Sequence, residues 1–125
     1  MFNLNDSLHY YLCSNPTDMR KGFDSLCGVV RSGMGRDPLC GEVFVFINGD
    51  RTRLKLLHWE RGGFVIYHKR LEKGRFSVPE FDAARGSYQL LWCDLVMMVE
   101  GVSFSNIRRK KRYELPSKNI VNSYP

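Results

Sequence analysis

The sequence predicts a single α+β domain: an antiparallel sheet of about four or five strands with two amphipathic helices packed on it. Three observations carry that prediction. Apolar residues recur at period two in several short runs, the spacing of a strand face. Two other stretches space their apolar residues at three and four, the spacing of a helix face. The third is size: 125 residues with 43% hydrophobic content suffice for one core, not two. The domain is expected over residues 1–104, followed by a basic tail over 105–125.

Residues 8–13, LHYYLC, are β-prone and read as a first strand, ended by Ser14-Asn15-Pro16. Thr17 or Asp18 can cap a helix by accepting the free N–H groups of its first turn. Met19, Phe23, Leu26, Cys27 and Val30 then draw one apolar stripe along a helix over 18–31, which stops near Ser32-Gly33. The run EVFVFI at 42–47 is apolar on both alternating faces, so it belongs in the middle of a sheet covered on two sides. Asn48-Gly49-Asp50 is a hairpin turn, because Asn and Gly tolerate positive φ. A second turn at Arg61-Gly62-Gly63 joins the apolar runs 54–59 and 64–67 into a β-hairpin, and Val78-Pro79 closes the segment that leaves it. Ser87 reads as the N-cap of a second helix, in which Tyr88, Leu91, Trp92, Leu95, Val96 and Val99 share a face before Gly101 ends it. The expected core holds Phe23, Leu26, Val43, Val45, Leu56, Phe64, Leu91, Leu95 and Val99.

Charge points to a partner. The chain carries 19 Lys and Arg against 13 Asp and Glu, a formal +6, which favours a polyanion, nucleic acid before an acidic protein. Between Arg51 and Phe76 stand eight Lys or Arg and two Glu, a difference equal to the whole net charge. Period-two alternation places Arg51, Arg53 and Lys55 on one strand face as a row of exposed cations. The closing part of the hairpin adds Lys69, Arg70, Lys73 and Arg75, and the tail adds the block Arg108, Arg109, Lys110, Lys111 and Arg112. These are the candidate nucleic-acid contacts. Cations spaced along a surface hold phosphates without reading bases, and nothing in the chain resembles a recognition helix. Tyr67, Trp59 or Phe64 would stack on unpaired bases if exposed, although aromatics at alternating strand positions are more often core.

Other chemistries find little support. His9, His58, His68 and the four cysteines lack the paired spacing of zinc ligands, so no metal or other cofactor is expected. There is no GxSxG elbow, no Cys-His signature and no phosphate-cradling GK[ST] loop. Asp18, Glu60 and Asp94 form the one carboxylate trio worth weighing, and each has a local explanation: a cap, a turn and the polar side of a helix. No enzymatic activity is expected. No stretch approaches the ~18–20 apolar residues of a membrane span, and the N-terminus has no signal-peptide pattern. Four scattered cysteines fit a reduced, cytoplasmic protein.

Four blocks, in order, make the string recognisable: DMRKGF from Asp18, GEVFVF from Gly41, LKLLHWERGGF from Leu54 and YHKRLEKGRF from Tyr67. Over roughly residues 9–79 the chain resembles the small accessory-protein family TnpB, from the second reading frame of bacterial insertion sequences of the sixty-six type. That family is distinct from the RNA-guided nuclease of the same name. The helix LLWCDLVMMVEGV also resembles a Leu-rich family helix ending in Gly. The chain departs from the family pattern at Val78, where a Trp precedes the closing proline, and at Glu60, where Asp is common. The resemblance implies a protein that assists transposition beside a larger acidic-triad transposase, in agreement with the lack of a catalytic constellation. The basic hairpin would then contact element DNA or a transposase–DNA complex. The alternative is an adaptor that binds the transposase or the other accessory protein without touching DNA.

Overall fold

The computed structural model describes residues 4–80 and 84–100, and within them the run VFVFI forms the central strand of a five-stranded sheet. The strands are β1 (Tyr10–Cys13), β2 (Val43–Ile47), β3 (Arg53–Glu60), β4 (Gly63–Arg70) and β5 (Ser87–Leu90), in the spatial order β4-β3-β2-β1-β5. Three pairs are antiparallel, and β1–β2 is parallel. A parallel pair needs a crossover, and the chain supplies it with helix α1 (Phe23–Gly28) and the π-helical turn Val29–Gly33 that follows directly.

Alternation along β2 divides the core. Val43, Val45 and Ile47 join Tyr10, Leu12, Leu54, Leu56 and Leu90 beneath Leu95, Met98 and Val99 of helix α2 (Trp92–Glu100). Phe44 and Phe46 join Tyr11, Cys13 and Leu57 beneath Leu26, Cys27 and Val30 on the other face. All five residues of β2 are buried. At about 1.5–3 kcal/mol per fully buried apolar side chain, this strand is the energetic centre of the domain.

Several elements depart from the pattern expected of the sequence. The first helix begins at Phe23, not at Asp18, and its N-cap is Gly22, with no side-chain cap. Asp18 instead accepts from the Arg20 backbone N–H at 2.9 Å and from the Arg20 guanidinium, closing a local turn. That guanidinium holds the Asp18 carboxyl down at about 2. Met19 is buried from this turn and not from a helix, while Phe23, in the first helical turn, is 48% exposed and leaves the expected core.

Ser87 caps nothing, because residues 87–90 pair with β1 as a strand. Tyr88 and Leu90 also satisfy period two, and pairing with the open edge of β1 decides between the two spacings. The helix therefore starts at Trp92, where the Leu91 N–H donates to Asp94 Oδ2 at 3.2 Å. Leu91 precedes it and is 41% exposed, so it too leaves the core. Phe64 is half-buried at the margin, and the other six expected core residues are buried. Gly101 and the tail, including residues 108–112, lie outside the described residues.

One close backbone approach ties β5 to the far end of the crossover. Gly86 O accepts from the Ser14 N–H at 3.2 Å, and a Cβ on Gly86 would collide with the Gly33 carbonyl oxygen. Gly86→Ala should therefore cost about 2 kcal/mol or more in urea unfolding, with Gly49→Ala, which faces open space, within about 0.5 kcal/mol of the parent.

Candidate nucleic-acid interface

The β3–β4 hairpin is held open at its tip by a two-residue loop. Glu60 pairs with Gly63, and between them Arg61 and Gly62 have φ of 48° and 82°. Both residues must be left-handed in this turn, so Gly62 is the natural choice and Arg61 carries strain. Beside the loop, Trp59 and Phe64 meet edge to face, with ring centroids 4.9 Å apart. The two rings are half-buried against each other and close the tip.

The other end of the hairpin is basic. The β2–β3 turn runs through Asn48, whose Oδ1 accepts from the N–H groups of Thr52 and Arg53 at 2.9 and 3.0 Å. Left-handed geometry falls on Arg51 (φ 58°), not on the Asn-Gly pair. The exposed carbonyls of this turn recruit the segment that leaves β4: Leu71 N–H donates to Thr52 O at 2.8 Å, and Phe76 N–H to Arg51 O at 2.7 Å. With Phe76 buried, the exposed Lys73 and Arg75 are brought alongside Arg51.

The expected row Arg51, Arg53 and Lys55 does not form. Arg51 sits in the turn, Arg53 is half-buried in β3, and Lys55 is 8% exposed. The reason is the loop before α1, which crosses this face. Lys55 Nζ donates to Met19 O and Lys21 O, each at 2.8 Å, so its ammonium is a structural tie and not a free cation. Lys69 is removed in a similar way. Its Nζ donates to Val99 O at 2.7 Å, at the carbonyl end of α2, where a cation is favoured.

What stays available is Arg51, Arg53, Arg70, Lys73 and Arg75. Arg53 and Arg70 are directly opposite in the β3–β4 register, and so are Lys55 and His68. Arg53, His68, Arg70 and Glu72 line an open hollow of about 410 Å³. His68 was not among the expected contacts. Its side chain is exposed, and the partial desolvation it meets, then the charges of Lys55, Arg53 and Arg70, push its imidazole below the usual histidine range. The signal in the sequence was its position two residues before Arg70 on the same strand face.

The weighed carboxylates are engaged locally: Asp18 with Arg20, Asp94 with the start of α2, and Glu60 with His58, its Oε2 3.5 Å from Nδ1. Among the described residues, no group of three His, Cys, Asp or Glu is placed to hold a metal ion. No helix among them is long and apolar enough to cross a membrane, and the four cysteines are free.

If Lys55 is structural, Lys55→Met should lower unfolding free energy by about 1–3 kcal/mol, since two inward carbonyls lose their donor. Changing Arg51, Arg53 and Lys55 together to Glu should then unfold the domain, which circular dichroism would show.

A family model described as IS66 Orf2 like protein matches residues 8–109. The uncharacterized protein y4jC of Sinorhizobium fredii (strain NBRC 101917 / NGR234) is 29% identical over 103 residues, covering 82% of this chain and 86% of that protein. The uncharacterized protein y4hO of the same strain is 30% identical over 98 residues, covering 78% and 84%. No solved structure matches significantly.

Proposed function

Since the chain belongs to the IS66 Orf2-like family of non-catalytic insertion-sequence accessory proteins, we propose that it serves transposition by holding the DNA backbone at the basic end of its β3–β4 hairpin. One observation carries this reading: Arg51, Arg53, Arg70, Lys73 and Arg75 are gathered at one end of the hairpin by the hydrogen bonds from Leu71 and Phe76. Among the described residues, Asp18 and Asp50 share a hollow with Arg53, and Glu72 shares one with Arg53 and Arg70. The contact is independent of sequence, because cations on strands and turns reach phosphates, and no helix is presented to a groove. The tail cations Arg108, Arg109, Lys110, Lys111 and Arg112 extend the same electrostatic reach. The protein works in the cytoplasm, in company with the element's transposase and the other accessory protein.

A second reading has its own observation. Strand β4 lies at the sheet edge, and among the described residues no strand pairs with its outer side. An adaptor would add a strand of the transposase there, with DNA left untouched.

The test uses substitutions that spare the fold. Arg51→Gly removes a cation from a left-handed position that glycine prefers, and Lys73→Ala and Arg75→Ala change exposed side chains. The triple variant should match the parent in stability while its log K against log salt slope on duplex DNA falls by about 0.9 for each phosphate no longer neutralised. Equal affinity and equal slope would reject the hairpin as the DNA contact and favour the adaptor.

A further inference from the structure

We propose that the hollow formed by Arg53, His68 and Arg70 is a discrete site for one phosphate group. This rests on the DNA reading above and assigns it a particular place. Cross-strand neighbours of like charge repel, and Arg53 and Arg70 face each other directly across β3 and β4. Among the described residues no carboxylate pairs with Arg53. Arg70 has one acidic neighbour, Glu72, whose Oε2 accepts from Nε at 3.1 Å, and both side chains of that pair are exposed. Lys55 adds a further charge beneath, since its Nζ is bound by neutral carbonyls and by no carboxylate. An oxyanion in the hollow would answer two guanidinium groups at once, each carrying a fork of donors suited to phosphate.

His68 makes the site responsive to pH. The groups that face it are Lys55 and Arg53 on β3, Arg70 on its own strand and Glu72 beyond it. With the hollow empty, partial desolvation and the three cations favour neutral imidazole. A bound phosphate reverses the local field, so the imidazolium form is stabilised and binding takes up a proton. Affinity for phosphate therefore rises as pH falls through the histidine range and flattens above it. Glu72 competes with the ligand for Arg70.

The experiment is a titration of the full chain with inorganic phosphate, read on the His68 imidazole resonances by NMR, beside duplex binding at about pH 5.5 and about pH 8. Phosphate should move the His68 resonances saturably and raise its apparent pKa. Duplex affinity should be several-fold higher at the lower pH, and His68→Gln should remove most of that difference. Glu72→Gln, a change between two exposed groups, should tighten phosphate binding about two- to threefold. A duplex carrying a 5′-phosphate separates the two sources of the group: tighter binding than to the unphosphorylated duplex places a terminal monoester in the hollow, and equal binding places a backbone diester there. His68 resonances that ignore phosphate while the duplex still binds would overturn the site and leave the DNA reading standing. A saturable phosphate shift without duplex binding would keep the site and remove that reading.

Discussion

The Lys55 ammonium is the interaction on which the arrangement of the basic hairpin depends. It is a cation in the middle of a strand whose neighbours Leu54, Leu56 and Leu57 are all buried, and it is made tolerable there by two carbonyl oxygens of the loop before α1. The turn that offers those carbonyls is shaped by Asp18, which bonds the Arg20 N–H. Two of the sequence blocks that identify the family, DMRKGF and LKLLHWE, thus meet at one structural tie. Without it, the crossover would hold the hairpin only through apolar packing on Leu57, Phe64 and Ile66.

From that tie follows a division of labour among cations. Lys55 and Lys69 spend their donors on backbone carbonyls, at the entry to α1 and at the end of α2 respectively. They hold the two helical layers to opposite faces of the same hairpin. Arginines and the outlying Lys73 are left to face solvent at its base. A hairpin tied on both faces presents its charge at a set geometry. The exposed cations are thus gathered at one hairpin end, and the rest of the domain sets their position.

Much of the fold was legible from the sequence because it rests on short-range periodicity. The two-faced run at β2, the hairpin after it and the stripe ending near Gly33 follow from spacing alone. Residues 87–91 are ambiguous by spacing, because Tyr88 fits period two with Leu90 and helical spacing with Leu91, and only the open edge of β1 decides between them. The parallel β1–β2 pair depends on a crossover, which local spacing does not reveal. For the site, alternation put Arg53 and Lys55 correctly on one face but said nothing about what crosses that face. Lys55 is separated from the carbonyls it binds by 36 and 34 residues, so no local pattern could mark it as structural. His68 was passed over for a related reason: its environment is made by Arg53 and Lys55 on the neighbouring strand.

The central claim is that the hairpin's cations are divided between structural ties and free DNA contacts. Lysine acylation footprinting of the native protein, with and without duplex DNA, tests it in a single mass-spectrometric measurement. Lys55 should resist modification in both samples, while Lys73 should react freely alone and be protected by DNA. Lys55 reacting as fast as Lys73, or Lys73 left equally reactive by bound DNA, would contradict the account.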